Sequence, residues 1–294
     1  MRRIWVVYGA ICLGAWLINA LIYRYPGNPY LEIAPAFVIG LVQLALIAHG
    51  FYIYWGAEAQ TVRLIREVLK WLLFFTFYFG GITFLQFTPF PVIDHYLVWI
   101  DSLLHVDVGN IVTQMHAYPG LWHFFNKIYY SLDIEIVLAP LLVIIFRRYI
   151  FLREYYAYLL ISTAIGVGIY YFFPTVAPAS MFSSPYFTPE QHATGIKFNE
   201  IHHYIVPSTA EGGMISFPSF HVIWAWFSMY LLRWFRWLFI VLFCFNTLLV
   251  LSCVLLGWHY LIDIFGSVAV IALTHWIYAQ YVAKPTSHQL AMEI

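Results

Sequence analysis

The sequence predicts an all-α integral membrane protein, with about eight transmembrane helices and further helices lying at the extracytoplasmic interface. Of the 294 residues, 63% are apolar and only 10% are charged, whereas a soluble domain carries about 25% charged residues. Several apolar runs also reach the length of about 20 residues that a helix needs to cross the hydrocarbon layer. Both observations favour a chain that spans a membrane many times.

The apolar runs divide the chain into three parts. We expect a transmembrane hairpin over residues 1–68, a six-helix core over residues 69–282 and a cytoplasmic tail over residues 283–294. The predicted spans lie near residues 4–23, 33–55, 69–88, 129–147, 154–173, 218–234, 237–256 and 259–282. The first run follows Arg2 and Arg3, but it is longer than a signal-peptide core and lacks a small-residue cleavage site. We therefore interpret it as a retained span.

Two long segments between the spans do not fit as transmembrane helices. Residues 89–127 mix aromatic residues with Asp94, Asp101 and Asp107, which predicts one or two helices lying in the interface. Residues 174–217 are rich in Pro, Ser, Thr, Gly and His and predict a long loop. Because loops of that length inside a compact fold are usually functional or disordered, we expect an active-site loop there.

The basic residues predict the orientation in the membrane. If eight spans alternate, one face receives eleven of the 14 Lys and Arg residues. These are Arg2, Arg3, Arg63, Arg66, Lys70, Arg147, Arg148, Arg153, Arg233, Arg236 and Lys284. Positive charge is retained in the cytoplasm during insertion, so both termini are predicted to be cytoplasmic. The segments 89–127 and 174–217 then lie on the extracytoplasmic face, together with nine of the twelve histidines.

Composition also excludes several classes of site. All three cysteines lie inside apolar segments, so neither a disulfide framework nor a zinc knuckle is indicated. A formal net charge of zero gives no reason to expect a nucleic-acid partner. The outer histidines lack the convergent spacing of a metal site, and we expect neither a metal nor another cofactor.

The first candidate motif is the stretch Ser216-Phe217-Pro218-Ser219-Phe220-His221, where the long loop enters the sixth predicted span. Proline suits a first helical turn because its missing N–H removes no helical bond. Ser219 and His221 are therefore predicted to lie at a helix start. The free N–H groups and the dipole of such an end bind anions, phosphate especially.

The second candidate motif, Gly257 to Asp263, lies where the last predicted span begins. His259 and Asp263 are four residues apart, which predicts that they share one helical face. A carboxylate in this position accepts the proton of one imidazole nitrogen and leaves the other nitrogen basic. This is the arrangement of a base and its orienting group in an activated nucleophile.

Together the two stretches resemble the second and third signature motifs of the type 2 phosphatidic acid phosphatase superfamily, PSGH and SRxxxxxHxxxD. The matching segments here are Pro218 to His221 and Ser252 to Asp263. Their order, spacing and position fit, and the six-helix core of that superfamily would cover residues 69–282.

The resemblance implies a covalent phosphohistidine mechanism. His259 would attack phosphorus, Asp263 would orient it, and His221 would protonate the leaving oxygen. Ser219 and nearby backbone N–H groups would hold the phosphoryl oxygens. The implied partners are a phospholipid donor and an acceptor that is either a lipid hydroxyl or water.

The sequence departs from the family pattern at three places, and two or three cationic phosphate clamps are missing as a result. Phe220 replaces the glycine of PSGH, and Cys253 stands where the third motif has arginine. The first motif, KxxxxxxRP, has no counterpart in the loop start Phe173 to Ala179. A site with fewer cations suits a singly charged phosphodiester better than a phosphate monoester. The pattern is similar to the branch that contains fungal inositol-phosphorylceramide synthase.

Other polar residues on the outer face are candidates for contact with the substrate. Lys197 in the long loop would either supply charge to the phosphate or remain solvated, and His202 and His203 would either assist or lie at the headgroup level. Asp133 and Glu135, at the start of the fourth predicted span, would bind the hydroxyls of an inositol or sugar headgroup. The candidate substrate-binding residues are Ser219, Phe220, Lys197 and His203.

Three functions remain open at this point. The first is a lipid phosphotransferase that moves a phospho-headgroup, such as inositol phosphate, to a lipid hydroxyl. The second is a lipid phosphate phosphatase that uses the same residues with water as the acceptor. The third, a transporter or scaffold, predicts polar residues near the bilayer centre and related halves. The sequence has no internal repeat, and its polar residues gather at one face.

Overall fold

The computed structural model describes residues 2–25, 34–56, 59–209, 211–213 and 215–283. Within these ranges the chain forms eleven α-helices and no strand. The predicted tail lies outside the described residues apart from residue 283, as does the turn of the predicted hairpin at 26–33.

Eleven helices follow one another along the described chain, with two short ones between the third and the sixth. They are α1 (Arg2–Leu17, continued by the π-helix Ile18–Tyr23), α2 (Ala34–Trp55), α3 (Gln60–Leu85), α4 (Asp94–Leu103), α5 (Val108–His116), α6 (Pro119–Ile145), α7 (Tyr149–Phe172), α8 (Pro189–His202), α9 (Phe220–Leu231), α10 (Arg236–Leu255) and α11 (Leu261–Ile277, continued by the π-helix Tyr278–Val282).

Six segments of the described chain are long and apolar enough to cross a membrane. They are Ile4–Tyr23, Val38–Trp55, Pro119–Ile145, Tyr149–Phe172, Arg236–Leu255 and Leu261–Val282. The other two predicted spans correspond to α3, whose first half carries four charged residues, and to α9, which has only 12 residues. The predicted fold class, an all-helical membrane protein, is confirmed.

The interfacial segment is shorter than the sequence predicts. Only α4 and α5 lie between the third and fourth long helices, because α6 already begins at Pro119, ten residues before the predicted span. Pro119 occupies the first turn of α6, where a proline costs no helical hydrogen bond. The aromatic residues that follow it are typical of a membrane interface. Hydropathy alone therefore does not locate the start of this helix.

The predicted loop 174–217 contains a helix, α8, of 14 residues. Its start has a capping box, in which the Thr188 hydroxyl accepts from the Gln191 N–H and the Gln191 side chain accepts from the Thr188 N–H. Gln191 also donates to the carbonyl of Leu256 at 2.8 Å. The capped helix is thereby fixed against the end of α10.

The short helix α9 is enclosed by α6, α7, α10 and α11. Polar side chains bind across the neighbouring helices: Trp224 Nε1 donates to the hydroxyl of Tyr78 at 2.8 Å, and that hydroxyl lies 2.6 Å from Thr163 Oγ1. In an apolar environment such bonds satisfy groups that would otherwise be left without partners. The position of α9 is therefore fixed on all sides.

The two ends of the helical bundle differ in chemistry. At one end Arg233, after α9, forms an ion pair with Glu154 of α7, and Arg148 lies over the ring of Trp234. The turns at this end carry most of the basic residues. At the other end lie α4, α5, α8 and the starts of α9 and α11, where both candidate motifs occur.

Candidate active site

His221 is the second residue of α9, and its ring is held by aromatic neighbours. Ser219 is the N-cap residue, so the helix begins directly before the imidazole. The ring of Tyr129, from α6, stacks on His221 with centroids 4.4 Å apart, and its hydroxyl lies 3.4 Å from His221 Nδ1. Trp258 also stacks on Tyr129, with centroids 5.1 Å apart. The half-buried imidazole therefore has a defined orientation.

His259 lies in the tight turn between α10 and α11. Gly257 in this turn has φ +77°, a left-handed conformation that other residues rarely adopt. A Cβ there would also come within 2.5 Å of the Val112 side chain. The N–H of His259 donates to the carbonyl of Cys253 at 3.0 Å. Glycine is thus required for the turn that brings His259 back over the end of α10.

Asp263 binds His259, although the imidazole precedes the helix. The sequence predicts both residues on one helical face, but α11 begins at Leu261, and His259 lies two residues before it. Nevertheless, His259 Nδ1 is 3.1 Å from Asp263 Oδ2. The same oxygen accepts from the N–H of Tyr260 at 3.0 Å. One buried carboxylate therefore fixes both the turn and the imidazole.

The two histidines meet at one cavity. Their ring centroids are 5.7 Å apart, and both rings line a cavity of about 230 Å³. His259 is only 4% exposed. Burial lowers the pKa of its imidazole to about 4, against the opposing effect of the Ser216 carbonyl. An imidazole that is neutral at pH 7 keeps a lone pair for attack.

The wall of this cavity has no Lys or Arg side chain among the described residues. Asp133 is the only carboxylate in the wall that the structure describes, and aromatic residues form much of the rest. The lining includes Tyr129, Asp133, Thr194, Ile215, Ser216, Phe220, His221, Trp224, Trp258 and His259. Glu135, two residues along α6 from Asp133, instead accepts from Asn246 Nδ2 at 3.0 Å.

The residues that replace the family's glycine and arginine are packed into the protein. The ring of Phe220 faces Gly166 of α7, where an added Cβ would lie 3.0 Å from the ring. Cys253 is fully buried in an apolar cluster with Phe125 and Tyr129. Apolar packing therefore occupies the place where the family motif has a cation.

The other predicted substrate-binding residues do not line the cavity. Ser219 is fully buried, and its carbonyl accepts from Ser267 Oγ at 2.9 Å. Lys197 is fully buried and donates to the carbonyl of Glu211 at 2.9 Å; burial lowers its pKa to about 8. His203 is exposed and borders a different hollow, beside His202. Of the four, only Phe220 reaches the cavity wall.

Two aspartates of α4 hold the start of α11 and the residue before it by hydrogen bonds, a role that their positions in the sequence did not predict. Asp101 accepts from the N–H groups of Leu261 and Ile262, at 2.7 and 3.0 Å, and so caps the start of α11 from outside. Asp94 accepts from the Tyr260 hydroxyl at 2.8 Å and from the N–H of Val176 at 2.9 Å. Their spacing of seven residues places both on one face of a helix. This spacing is the only feature of the sequence that could have predicted their shared role.

The arrangement has the parts that phosphoryl transfer through a histidine requires. An imidazole is oriented by a carboxylate, a second imidazole lies close by, and both open into one small cavity. Free N–H groups at the start of α9 add positive potential at the same place.

Comparison with known proteins agrees with this arrangement. The family model described as the PAP2 superfamily matches residues 95–277, which is more than half of the chain and includes both histidine motifs. No curated protein and no solved structure matches the chain. Family members are generally phosphatases or phosphotransferases. On the extent of this match, the chain belongs to the PAP2 superfamily.

Proposed function

We propose that this protein is a lipid phosphotransferase that moves a phospho-headgroup from a phospholipid to a lipid hydroxyl. The observation that carries the proposal is the cavity shared by His221 and His259, whose described wall contains no Lys or Arg. We further propose an inositol-phosphate-like headgroup and a site that opens on the extracytoplasmic face.

The charge of the cavity supports a phosphodiester over a phosphate monoester as the donor. A phosphate monoester approaches two negative charges at neutral pH, whereas a phosphodiester carries one. With no Lys or Arg in the described wall, the cavity offers helix N–H groups, the imidazole of His259 and the imidazole of His221, which brings one proton to the reaction. Asp133 adds a carboxylate to the same wall, which repels a dianion more than a monoanion. The geometry therefore favours a phosphodiester donor.

The proposed transfer has two chemical steps. His259 Nε2 forms a bond to phosphorus, while the bond between phosphorus and the diacylglycerol oxygen breaks. His221 gives its proton to that oxygen, so diacylglycerol leaves and the headgroup phosphate stays on His259. In the second step the acceptor hydroxyl gives its proton to His221, and its oxygen takes phosphorus from His259. Asp263 holds the Nδ1 proton of His259 throughout.

A lipid phosphate phosphatase is the second candidate function. It would use the same residues, with water in place of the acceptor hydroxyl in the second step. Family membership is consistent with either chemistry. The apolar and aromatic wall of the cavity favours a lipid acceptor over water.

Substitution of the two histidines tests the mechanism. His259→Ala and His221→Ala should each abolish turnover in purified protein, while His123→Ala, in the first turns of α6 and outside the cavity, should keep it. The measurement is transfer of a labelled headgroup, together with thermal unfolding to verify that each variant folds. Normal turnover in a folded His259→Ala protein would remove the mechanism.

An acceptor experiment separates the two functions. The protein is incubated with labelled phosphatidylinositol, with and without ceramide or diacylglycerol. A transferase yields labelled lipid product only when the acceptor is present. Release of inorganic phosphate from phosphatidic acid without any acceptor would instead establish the phosphatase.

A further inference from the structure

A long groove lies between α1, α3 and α7, away from the active-site cavity. Its volume is about 950 Å³. It extends along α3 from Glu67 and Lys70 to Gly80 and Gly81. At a rise of 1.5 Å per residue, the stretch from Lys70 to Gly81 is about 16 Å long. That length is close to half of the hydrocarbon layer, which is about 30 Å thick.

The walls of the groove are apolar except at one end. Aromatic and aliphatic side chains line most of its length, among them Trp5, Phe74, Phe77 and Leu152. Gly80 leaves open space, since an added Cβ would have no neighbouring atom within 4 Å. The groove is therefore wide enough at its inner end for a chain of methylene groups.

The polar end of the groove carries uncompensated positive charge. Lys70 and Arg153 are both exposed there. Lys70 is paired with Glu67 at 2.6 Å, whereas Arg153 has no ion-pair partner in the part of the chain that the structure describes. One cation at this end is thus available to an anion from outside the protein.

A buried hydroxyl adds a second, independent feature. Tyr156 lies one turn of α7 beyond Arg153 and is only 9% exposed. Its hydroxyl has no hydrogen-bond partner among the described residues, although a buried polar group without a partner is costly. Tyr156 lines the same groove, and a rotation of its side chain would bring the covered hydroxyl to a polar atom of a ligand lying there.

We propose that this groove binds one anionic diacyl phospholipid, taken from the membrane leaflet at the basic end of the bundle. The phosphate lies at Arg153 and Lys70, and the Tyr156 hydroxyl donates to an oxygen of the phosphate or of the ester below it. One acyl chain extends past Gly80. This lipid is separate from the reacting lipids, and its binding does not depend on the proposed activity.

Native mass spectrometry of the purified full chain tests the proposal. The protein is equilibrated in detergent with equal amounts of dioleoyl phosphatidylglycerol and dioleoyl phosphatidylcholine. We expect one retained lipid, with phosphatidylglycerol favoured several-fold. Gly80→Leu should fill the groove and remove most of this adduct. Gly168→Leu is the matched control, because Gly168 of α7 also has open space around its Cβ but lies outside the groove.

Arg153→Gln tests the headgroup contact separately from the acyl contact. This variant should still retain a lipid but with the preference for phosphatidylglycerol reduced to about even. Gly9→Leu, on α1 in the same groove, replaces Gly80→Leu if that variant does not fold. An adduct of wild-type intensity in a folded groove-filling variant would overturn the proposal, as would an unchanged headgroup preference in Arg153→Gln.

Discussion

At the residue scale, the carboxylate of Asp263 orients the His259 imidazole and also holds the backbone of the turn before α11. One of its oxygens lies within hydrogen-bond distance of both His259 Nδ1 and the N–H of Tyr260. The interaction with the imidazole keeps the proton on Nδ1 and leaves Nε2 basic. Removing the charge while keeping the shape should therefore affect the chemical step more than substrate binding.

We predict that Asp263→Asn lowers kcat by about two to four orders of magnitude with a much smaller change in KM, by analogy with the loss of the orienting carboxylate in other histidine-based sites. The measurement is steady-state headgroup transfer by the purified variant, with its unfolding temperature as the control for folding. A kcat within a factor of about three of wild type would contradict the orienting role.

Asp94 gives a prediction about pH. Burial raises the pKa of its carboxyl to about 6, although the Val176 N–H and the Tyr260 hydroxyl donate to it. In an unfolded chain the pKa of an aspartate is about 3.9. Between these values the folded protein binds more protons than the unfolded chain, so its free energy of unfolding falls as pH rises from about 4 to 6.

Thermal unfolding of wild type and Asp94→Asn, measured at steps from pH 4 to pH 7, isolates this contribution. The stability of wild type relative to the variant should decrease as pH rises through this window and should level off above pH 6.5, where Asp94 is ionised in both states. A difference between the two proteins that is constant with pH would contradict the assignment.

At the scale of elements, the interfacial helix α4 and the membrane helix α11 act as a pair. Asp101 satisfies two of the N–H groups that every helix start leaves without an intrahelical partner. We predict that Asp101→Ala destabilises the protein by about 1–2 kcal/mol, as for the loss of other helix caps. It should also lower kcat, because Asp263 lies in the first turn of the same helix.

Asp107→Ala is the matched control for this pair of effects. Asp107 caps α5 by accepting from the N–H of Asn110 at 2.9 Å, and among the described residues its carboxylate forms no hydrogen bond with α11. Its loss should lower the unfolding temperature without changing kcat. Equal effects of the two variants on kcat would show that α4 does not position the site.

The sequence predicted the elements that local hydropathy and motif spacing determine. The errors concern features that depend on contacts between distant residues, or helices whose composition resembles a membrane interface. The long apolar helices and the convergence of His221, His259 and Asp263 followed from hydropathy and motif spacing. The start of α6 did not, because its aromatic first turns have the composition of an interface. The capping box of α8, Thr188 to Gln191, was visible in the sequence, but the helix is polar overall and lacks an apolar stripe.

The substrate-binding predictions for Lys197 and His203 depended on where a long loop folds, which sequence spacing does not determine. Capping by Thr188 and the contact of Gln191 with Leu256 fix α8 so that Thr194 lines the cavity and Lys197 does not. The role of Asp94 and Asp101 also depended on a contact across more than 150 residues. From the sequence alone, only the spacing of these two aspartates along α4 could have indicated that role.

For the whole molecule, the separation of charge between the two ends predicts how the protein lies in its membrane. We expect Gln60→Cys, at the basic end, to react with an impermeant maleimide only after the membrane is permeabilised. Asn110→Cys, on α5 at the other end, should react in intact cells or vesicles of native orientation. Both residues are exposed, and both substitutions are made in a Cys244→Ser background. Labelling in the opposite order would reverse the proposed orientation.

The shortness of α9 has a consequence for access to the site. Twelve residues rise about 18 Å, whereas the hydrocarbon layer is about 30 Å deep. With Arg233 at one boundary of the hydrocarbon layer and α9 along the membrane normal, we expect His221, in the first turn of α9, to lie about 12 Å from the opposite boundary. A hydroxyl anchored to its own hydrophobic tail arrives at that depth by lateral diffusion, whereas a water-soluble alcohol has to descend from the aqueous phase.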